Sequence, residues 1–138
     1  PVLFHQADLP ILGMMEMQAA WLGVPTPEKV ALDQSADDGL AAGIPGLEAE
    51  VIHTPGHTPG SLCLYFPKQE LLLAGDTLFA GSVGRTDLPG GDWDTLLESI
   101  RGLVEGYPEE TAVYPGHMAV TTLGAERASN PFLAELAR

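Results

Sequence analysis

The sequence predicts an α/β or α+β fold in which helices pack on a sheet, and three observations carry that expectation. Apolar stretches of strand length recur at residues 47–53, 61–66, 70–74 and 111–114. Between the last two lies residues 93–105, whose Trp93, Leu96, Leu97, Ile100, Leu103 and Val104 follow the 3, 4, 7 spacing of an amphipathic helix. The 138 residues suffice for one domain with a buried core, and 45% hydrophobic against 18% charged residues is a globular balance. Strands alternating with helices settle as helices laid on a sheet.

Each element has its own warrant. Residues 2–4 (Val-Leu-Phe) read as a short buried strand. Asp8 is placed to cap a helix whose first turn holds Pro10, a position where proline is tolerated. The helix then runs over residues 11–22, apolar almost all round, and reads as a core helix. The sharper alternative, a methionine-rich binding face built on Met14, Met15 and Met17, has less to recommend it. Residues 23–46, with Pro25, Pro27, Pro45 and several glycines, read as a connector holding at most a turn of helix. A connection of that length is either a lid or binding loop or a plain surface excursion.

Residues 47–53 alternate, setting Leu47, Ala49 and Val51 against Glu48, Glu50 and Ile52, so a half-buried strand follows. Residues 61–66 and 70–74 form a hairpin about the turn Pro67, Lys68, Gln69. Asp92 caps the amphipathic helix. Residues 111–114 are the last strand, and a terminal helix starts at Asn130 and Pro131, with Phe132, Leu133 and Leu136 on one face.

Composition excludes several classes. Acidic residues outnumber basic ones 19 to 6, for a net charge of −13. A nucleic-acid partner needs clustered Lys and Arg, and six scattered cations do not form such a cluster. No apolar run approaches the roughly 20 residues of a membrane span. One cysteine excludes an internal disulfide and a Cys-cluster metal site, which makes the cytoplasm the default compartment. The first residues lack the basic start of a signal peptide.

Chemistry concentrates on loops that follow strands. Residues 53–61 read His-Thr-Pro-Gly-His-Thr-Pro-Gly-Ser. Its prolines stiffen and its glycines turn, which gives histidines the fixed presentation a metal requires. Asp76 closes the apolar strand before it, and a carboxylate there is costly unless paired, ligating or capping a helix. Thr77 is a second candidate cap. His117 follows Tyr114, Pro115 and Gly116 after the last strand. Together His57, Asp76 and His117 make a ligand set suited to Zn, Fe or Mn. Residues 79–91 are glycine-rich but lack the Lys-Ser/Thr ending of a P-loop. There Arg85 and Asp87 either support the loop by pairing or, through Arg85, steer an anionic substrate. Ser61 and Cys63 do not sit in a nucleophile elbow, and Cys63 reads as buried and inert.

These motifs in combination, with Gly-Asp-Thr-Leu-Phe at 75–79, Gly-Ser-Val-Gly-Arg-Thr-Asp-Leu-Pro-Gly-Gly-Asp at 81–92 and Tyr-Pro-Gly-His at 114–117, resemble the metallo-β-lactamase superfamily, in its glyoxalase II-like branch. The resemblance runs the whole length. It implies an αββα sandwich of which the chain covers the downstream part, as a single partial domain over residues 1–138. It implies one or two metal ions, with His57 a ligand of the first, His117 of the second and Asp76 bridging both at the reacting centre. His53 belongs to the motif but is not a usual ligand. The implied activity is hydrolysis of a small-molecule thioester of the hydroxyacylglutathione type. An iron-dependent persulfide dioxygenase and a non-catalytic interaction module are the alternatives. The family's His-x-His-x-Asp-His segment, expected upstream of the stretch matching Pro1, is absent from this sequence. Each metal then keeps one imidazole and Asp76, and one sheet of the sandwich lacks its partner. Self-association or a partner chain that completes the sandwich is therefore expected, and Pro1 reads as a cut or processing point.

Overall fold

The computed structural model describes residues 1–134 and 136. In chain order the strands are β1 (Leu3–Phe4), β2 (Gln34–Ser35), β3 (Ala41–Ile44), β4 (Leu47–His53), β5 (Leu62–Phe66), β6 (Leu71–Gly75), β7 (Leu78–Phe79), β8 (Ser82–Val83), β9 (Ala112–Pro115) and β10 (Thr121–Thr122). The helices are α1 (Leu9–Leu12), α2 (Met15–Leu22), α3 (Trp93–Gly106) and α4 (Leu123–Ser129). Among the described residues the main sheet has the order β10-β9-β6-β5-β4-β3. Its pairs are antiparallel except β6 with β9, which run parallel across the connection through α3. No helix among the described residues is long and apolar enough to cross a membrane.

The alternation of β5, β6 and β9 places Cys63, Leu72, Ala74 and Val113 on one face of the sheet. Against that face α3 lays Leu96, Leu97, Ile100, Leu103 and Val104, joined by Leu123 of α4. Burial of this apolar stripe is the main drive for folding here. The second face carries Val51, Leu62, Leu64 and Leu73, which line a 340 Å³ cavity together with Leu3 and Ala36 from the β1–β2 segment. Leu73 and Tyr114 on this face are exposed. Cross-strand register puts Ile52 opposite Cys63 and Val51 opposite Leu64. The apolar parity of β4 therefore faces this second side, and Ile52 alone of its opposite parity joins the α3 core.

Four expectations are corrected. The helix predicted over residues 11–22 is broken into α1 and α2, because Gly13 falls in its first turn and glycine is the poorest propagator after proline. It is also no core helix, since only Ala19 of α2 is buried while Trp21 and Leu22 are each 75% exposed. Asp8 makes no capping bond, because its carboxylate accepts long-range bonds from Gly60 N (2.6 Å) and Thr58 Oγ1 (2.8 Å) instead. The connector over residues 23–46 contains β2 and β3 and no helix. Pro45 and Gly46 close a two-residue turn from β3 to β4, with Gly46 at φ +89°, the positive φ that a type II turn requires at that position.

The fourth correction concerns the C-terminal helix. It lies earlier, at Leu123–Ser129, where Thr122 caps it by accepting from Ala125 N (3.1 Å). Asn130 ends this helix and starts a single 3₁₀ turn over Pro131–Leu133. The remainder of the predicted terminal helix includes residues 135, 137 and 138, which lie outside the described residues.

Candidate metal centre

Sheet topology brings the three predicted ligands to one end. The loop after β4 carries His57 and returns to the start of β5, which lies beside the end of β6. Asp76 follows β6, and His117 follows β9, its parallel neighbour. Loops at the carboxyl ends of adjacent parallel strands converge, which is how open sheets assemble sites.

Asp76 stands between the imidazoles. Its Oδ2 lies 3.5 Å from His57 Nε2 and its Oδ1 lies 3.4 Å from His117 Nε2. Each ring thus faces its own carboxylate oxygen. Among the described residues no three His, Cys, Asp or Glu side chains form a group ready to hold one ion. The arrangement is two His–Asp pairs that share Asp76. Gly116 permits the approach: a Cβ there would run into Asp76 Oδ1. The expectation that Asp76 or Thr77 caps a helix is corrected, because β7 follows and Thr77 is buried against Thr54 Oγ1 (3.2 Å).

The halves differ in rigidity. The His57 side chain is 18% exposed, and its Nδ1 lies 2.7 Å from the Arg85 carbonyl oxygen. A carbonyl only accepts, so Nδ1 carries a proton there and Nε2 is the nitrogen turned toward Asp76. The loop beneath is held from three directions. Asp8 binds Thr58 and Gly60. Asp92 N donates to Gly56 O (2.8 Å), and Ser99 Oγ donates to Pro55 O (2.7 Å). Gly56, at φ +141°, lies against the backbone of Leu96, where a Cβ has no room. His117 is 69% exposed and meets Phe79 edge to face at 5.7 Å. Met118 beside it adopts φ +69°, a costly conformation for a side chain of that size.

His53 is spoken for. Its Nε2 donates to Pro59 O (2.8 Å), and its ring stacks on His5 at 4.0 Å. Arg85 pairs with Asp87 through two bonds of 2.7 and 2.8 Å. That bond to Arg85 holds the Asp87 carboxyl down at about 2. Cys63 is fully buried, and burial pushes its thiol up to about 11, which leaves it inert.

Sequence reasoning missed two carboxylates and one carbonyl. Asp8 clamps the His57 loop from 50 residues away in sequence. Buried Glu126 accepts from Thr121 Oγ1 (2.6 Å), Gly81 N (2.9 Å) and Asn130 Nδ2 (2.8 Å), tying the turn between β7 and β8 to α4. The Arg85 carbonyl that orients His57 is backbone and carries no sequence signal. For Asp8 the usable signal was cost, since an acid amid apolar residues needs partners, whereas Glu126 stands beside Arg127 and carries no such signal.

A family profile described as the metallo-β-lactamase superfamily matches residues 7–117. The chain belongs to the metallo-β-lactamase superfamily. Its similarity to a protein of Aquifex aeolicus, described only as uncharacterized, is 47% identity over 119 residues, covering 86% of this chain and 55% of that protein. A Haemophilus influenzae protein named hydroxyacylglutathione hydrolase GloC is 37% identical over 130 residues, covering 94% of this chain and 61% of that one. Among solved structures, TTHA1623 in a di-iron-bound form superposes with a TM-score of 0.85 at 40% identity, covering 96% of this chain and 65% of that one. The chain thus spans between about half and two thirds of the length of these relatives. Members of this superfamily bind metal ions, and the fold is the metallo-β-lactamase fold.

Proposed function

We propose that this chain is the downstream part of a metal-dependent hydrolase that cleaves a small-molecule thioester of the hydroxyacylglutathione type. The single observation that carries the reading is Asp76 facing His57 Nε2 and His117 Nε2 through different oxygens at 3.5 and 3.4 Å. Two donors about 2.0–2.1 Å from one ion, at a tetrahedral angle, stand about 3.4 Å apart. Both His–Asp pairs match that spacing, so the donor set fits one or two ions, zinc first, with iron or manganese also suited. The GloC relative's name supports the substrate class and the di-iron form of TTHA1623 supports the metal.

His57 would hold the first ion, His117 the second, and Asp76 would bridge them. When bound, the metal supplies Lewis acidity and a water acidified to a pKa of about 7. The chain's own residues do the rest. Arg85 O keeps the proton on Nδ1 of His57, so Nε2 stays available as a donor of its lone pair. Asp8, Asp92 and Ser99 fix the loop that carries the ring. Arg85 and Asp87 brace the adjoining loop. Water adds across the C–S bond overall, giving a carboxylic acid and a thiol.

A catalytic zinc takes three protein ligands, and each half-site here has two. We place the missing ligands, and the cover for the second sheet face, in polypeptide beyond this partial domain, whether continuous, a partner chain or a second copy. A net charge of −13 favours neither nucleic acid nor an anionic membrane as partner. A lone, buried thiol suits the cytoplasm.

Metal analysis tests the reading. The protein purified with zinc, iron or manganese should retain metal, and Asp76→Ala should lose it together with thioester hydrolysis. Metal no higher than in Asp76→Ala would overturn the reading. Oxygen uptake with glutathione persulfide would replace hydrolysis with the dioxygenase activity.

A further inference from the structure

An apolar cavity of about 300 Å³ opens beside His57. Met14, Trp21 and Leu22 line it from the helical segment and Leu88 and Pro89 from the loop after β8, and His57 belongs to the same lining. This explains an oddity of α2. The helix is apolar, yet of its residues only Ala19 is buried, and Trp21 and Leu22 are among the most exposed large hydrophobics. Exposed apolar groups gathered around a concavity mark a binding surface rather than a failed core.

The cavity is registered against the candidate metal centre. Asp8, at the start of α1, holds Gly60 N at 2.6 Å and Thr58 Oγ1 at 2.8 Å. Gly90 packs on Pro59 and Ile11, so closely that a Cβ would strike the proline ring. Both walls are thereby fixed to the loop that presents His57. A group lying in the cavity touches His57, whose Nε2 lies 3.5 Å from Asp76, so the cavity adjoins the place where the reacting bond would sit. The lining is mostly carbon, its polar members are Gln18, Thr58 and the His57 ring, and it has no lysine or arginine, so it suits an uncharged apolar chain. It does not suit a charged peptide-like moiety.

We infer that this cavity, resting on the hydrolase reading above, binds an apolar substituent of the thioester. That makes Met14, Trp21, Leu22 and Leu88 specificity-determining residues. The substituent belongs either to the acyl or to the thiol side, and chain-length series distinguish the two.

Trp21 is its own reporter. With Trp93→Phe as background, Trp21 emission is titrated with ketone analogues in which a methylene replaces the thioester sulfur, so that nothing is hydrolysed. One series lengthens the chain on the carbonyl side, the other on the methylene side. In one series the Kd should fall about fourfold per added methylene until the cavity is full. Leu22→Asp and Leu88→Asp, both at exposed positions, should abolish that dependence while leaving the circular dichroism and melting temperature unchanged. Affinity independent of chain length in both series, or unaffected by these substitutions, overturns the inference and leaves the cavity to other polypeptide. Titrations with chelator and with Asp76→Ala separate the two readings. Chain-length dependence that persists under chelator and in Asp76→Ala supports the cavity, and the same dependence in a protein that retains no metal with Asp76 intact counts against the hydrolase. Hydrolysis of acetyl thioesters without any chain-length dependence does the reverse.

Discussion

Helices α2 and α3 are both rich in apolar residues, and they meet opposite fates. From α3, Leu96, Leu97, Ile100, Leu103 and Val104 are buried against the sheet, and the Asp92 carboxylate caps its first turn at Thr95 N (2.8 Å). From α2 only Ala19 is buried, and no side chain caps it. The difference is periodicity. In α3 the apolar residues form one stripe and the charged residues the other face, so one docking buries them all. In α2 they surround the axis, so no single docking could. Apolar content alone therefore does not make a core element, and what α2 leaves exposed is available for a ligand.

Stability measurements offer the strongest way to break that contrast. Ile100→Ala removes a fully buried side chain and should cost about 2–5 kcal/mol in urea unfolding. That is a large share of the ~5–15 kcal/mol that holds a domain together. Leu22→Ala should stay within about 0.5 kcal/mol. Equal losses at the two positions would show that α2 is a core element after all.

The helix ends sharpen the same comparison at smaller scale. Asp92→Ala should cost about 1 kcal/mol by orphaning Thr95 N. Met14→Ala, at the corresponding start of α2, removes no capping bond and should again stay within about 0.5 kcal/mol. Asp92 also sets where α3 begins, and its backbone N–H holds Gly56 O. A hydrogen-exchange readout on residues 55–58 should therefore register the Asp92 change and not the Met14 change.

What was legible in the sequence follows this division. Strands β4, β5, β6 and β9 and helix α3 were readable because their periodicity is local and agrees with where they pack. His57, Asp76 and His117 were readable as candidates because each lies on a loop that follows a strand, and the topology gathers those loops. The misses have physical reasons. Gly13 outweighed an apolar run. A two-residue turn at Pro45 and Gly46 created a strand from four residues too few to show a period. Asp8 looked like a cap, but two donors from Thr58 and Gly60 bind it better than its own helix does. Glu126 and the Arg85 carbonyl act across 45 and 28 residues of sequence, where no local pattern reaches.

The smallest predicted effect lies on the loop that leads from the site to the cavity wall. Arg85 has two parts with different duties: its guanidinium pairs with Asp87, while its carbonyl orients His57. The guanidinium's hydrogen bonds hold Asp87 at about 2, below its ordinary 3.8. A depressed carboxyl contributes stability that is fully present above its unfolded value and is lost as pH falls through about 2, so whatever the pair contributes is present at pH 7 and disappears in acid. Both groups are well exposed, and such pairs add little. Arg85→Gln should therefore return the Asp87 titration, followed by carbon NMR, toward 3.8 with almost no change in stability at pH 7. The nitrogen chemical shifts of His57 should stay put, since glutamine keeps the carbonyl. If they move instead, the Arg85 side chain, and not its backbone, sets the tautomer of His57, and the site depends on a surface ion pair that α3 and its core do not control.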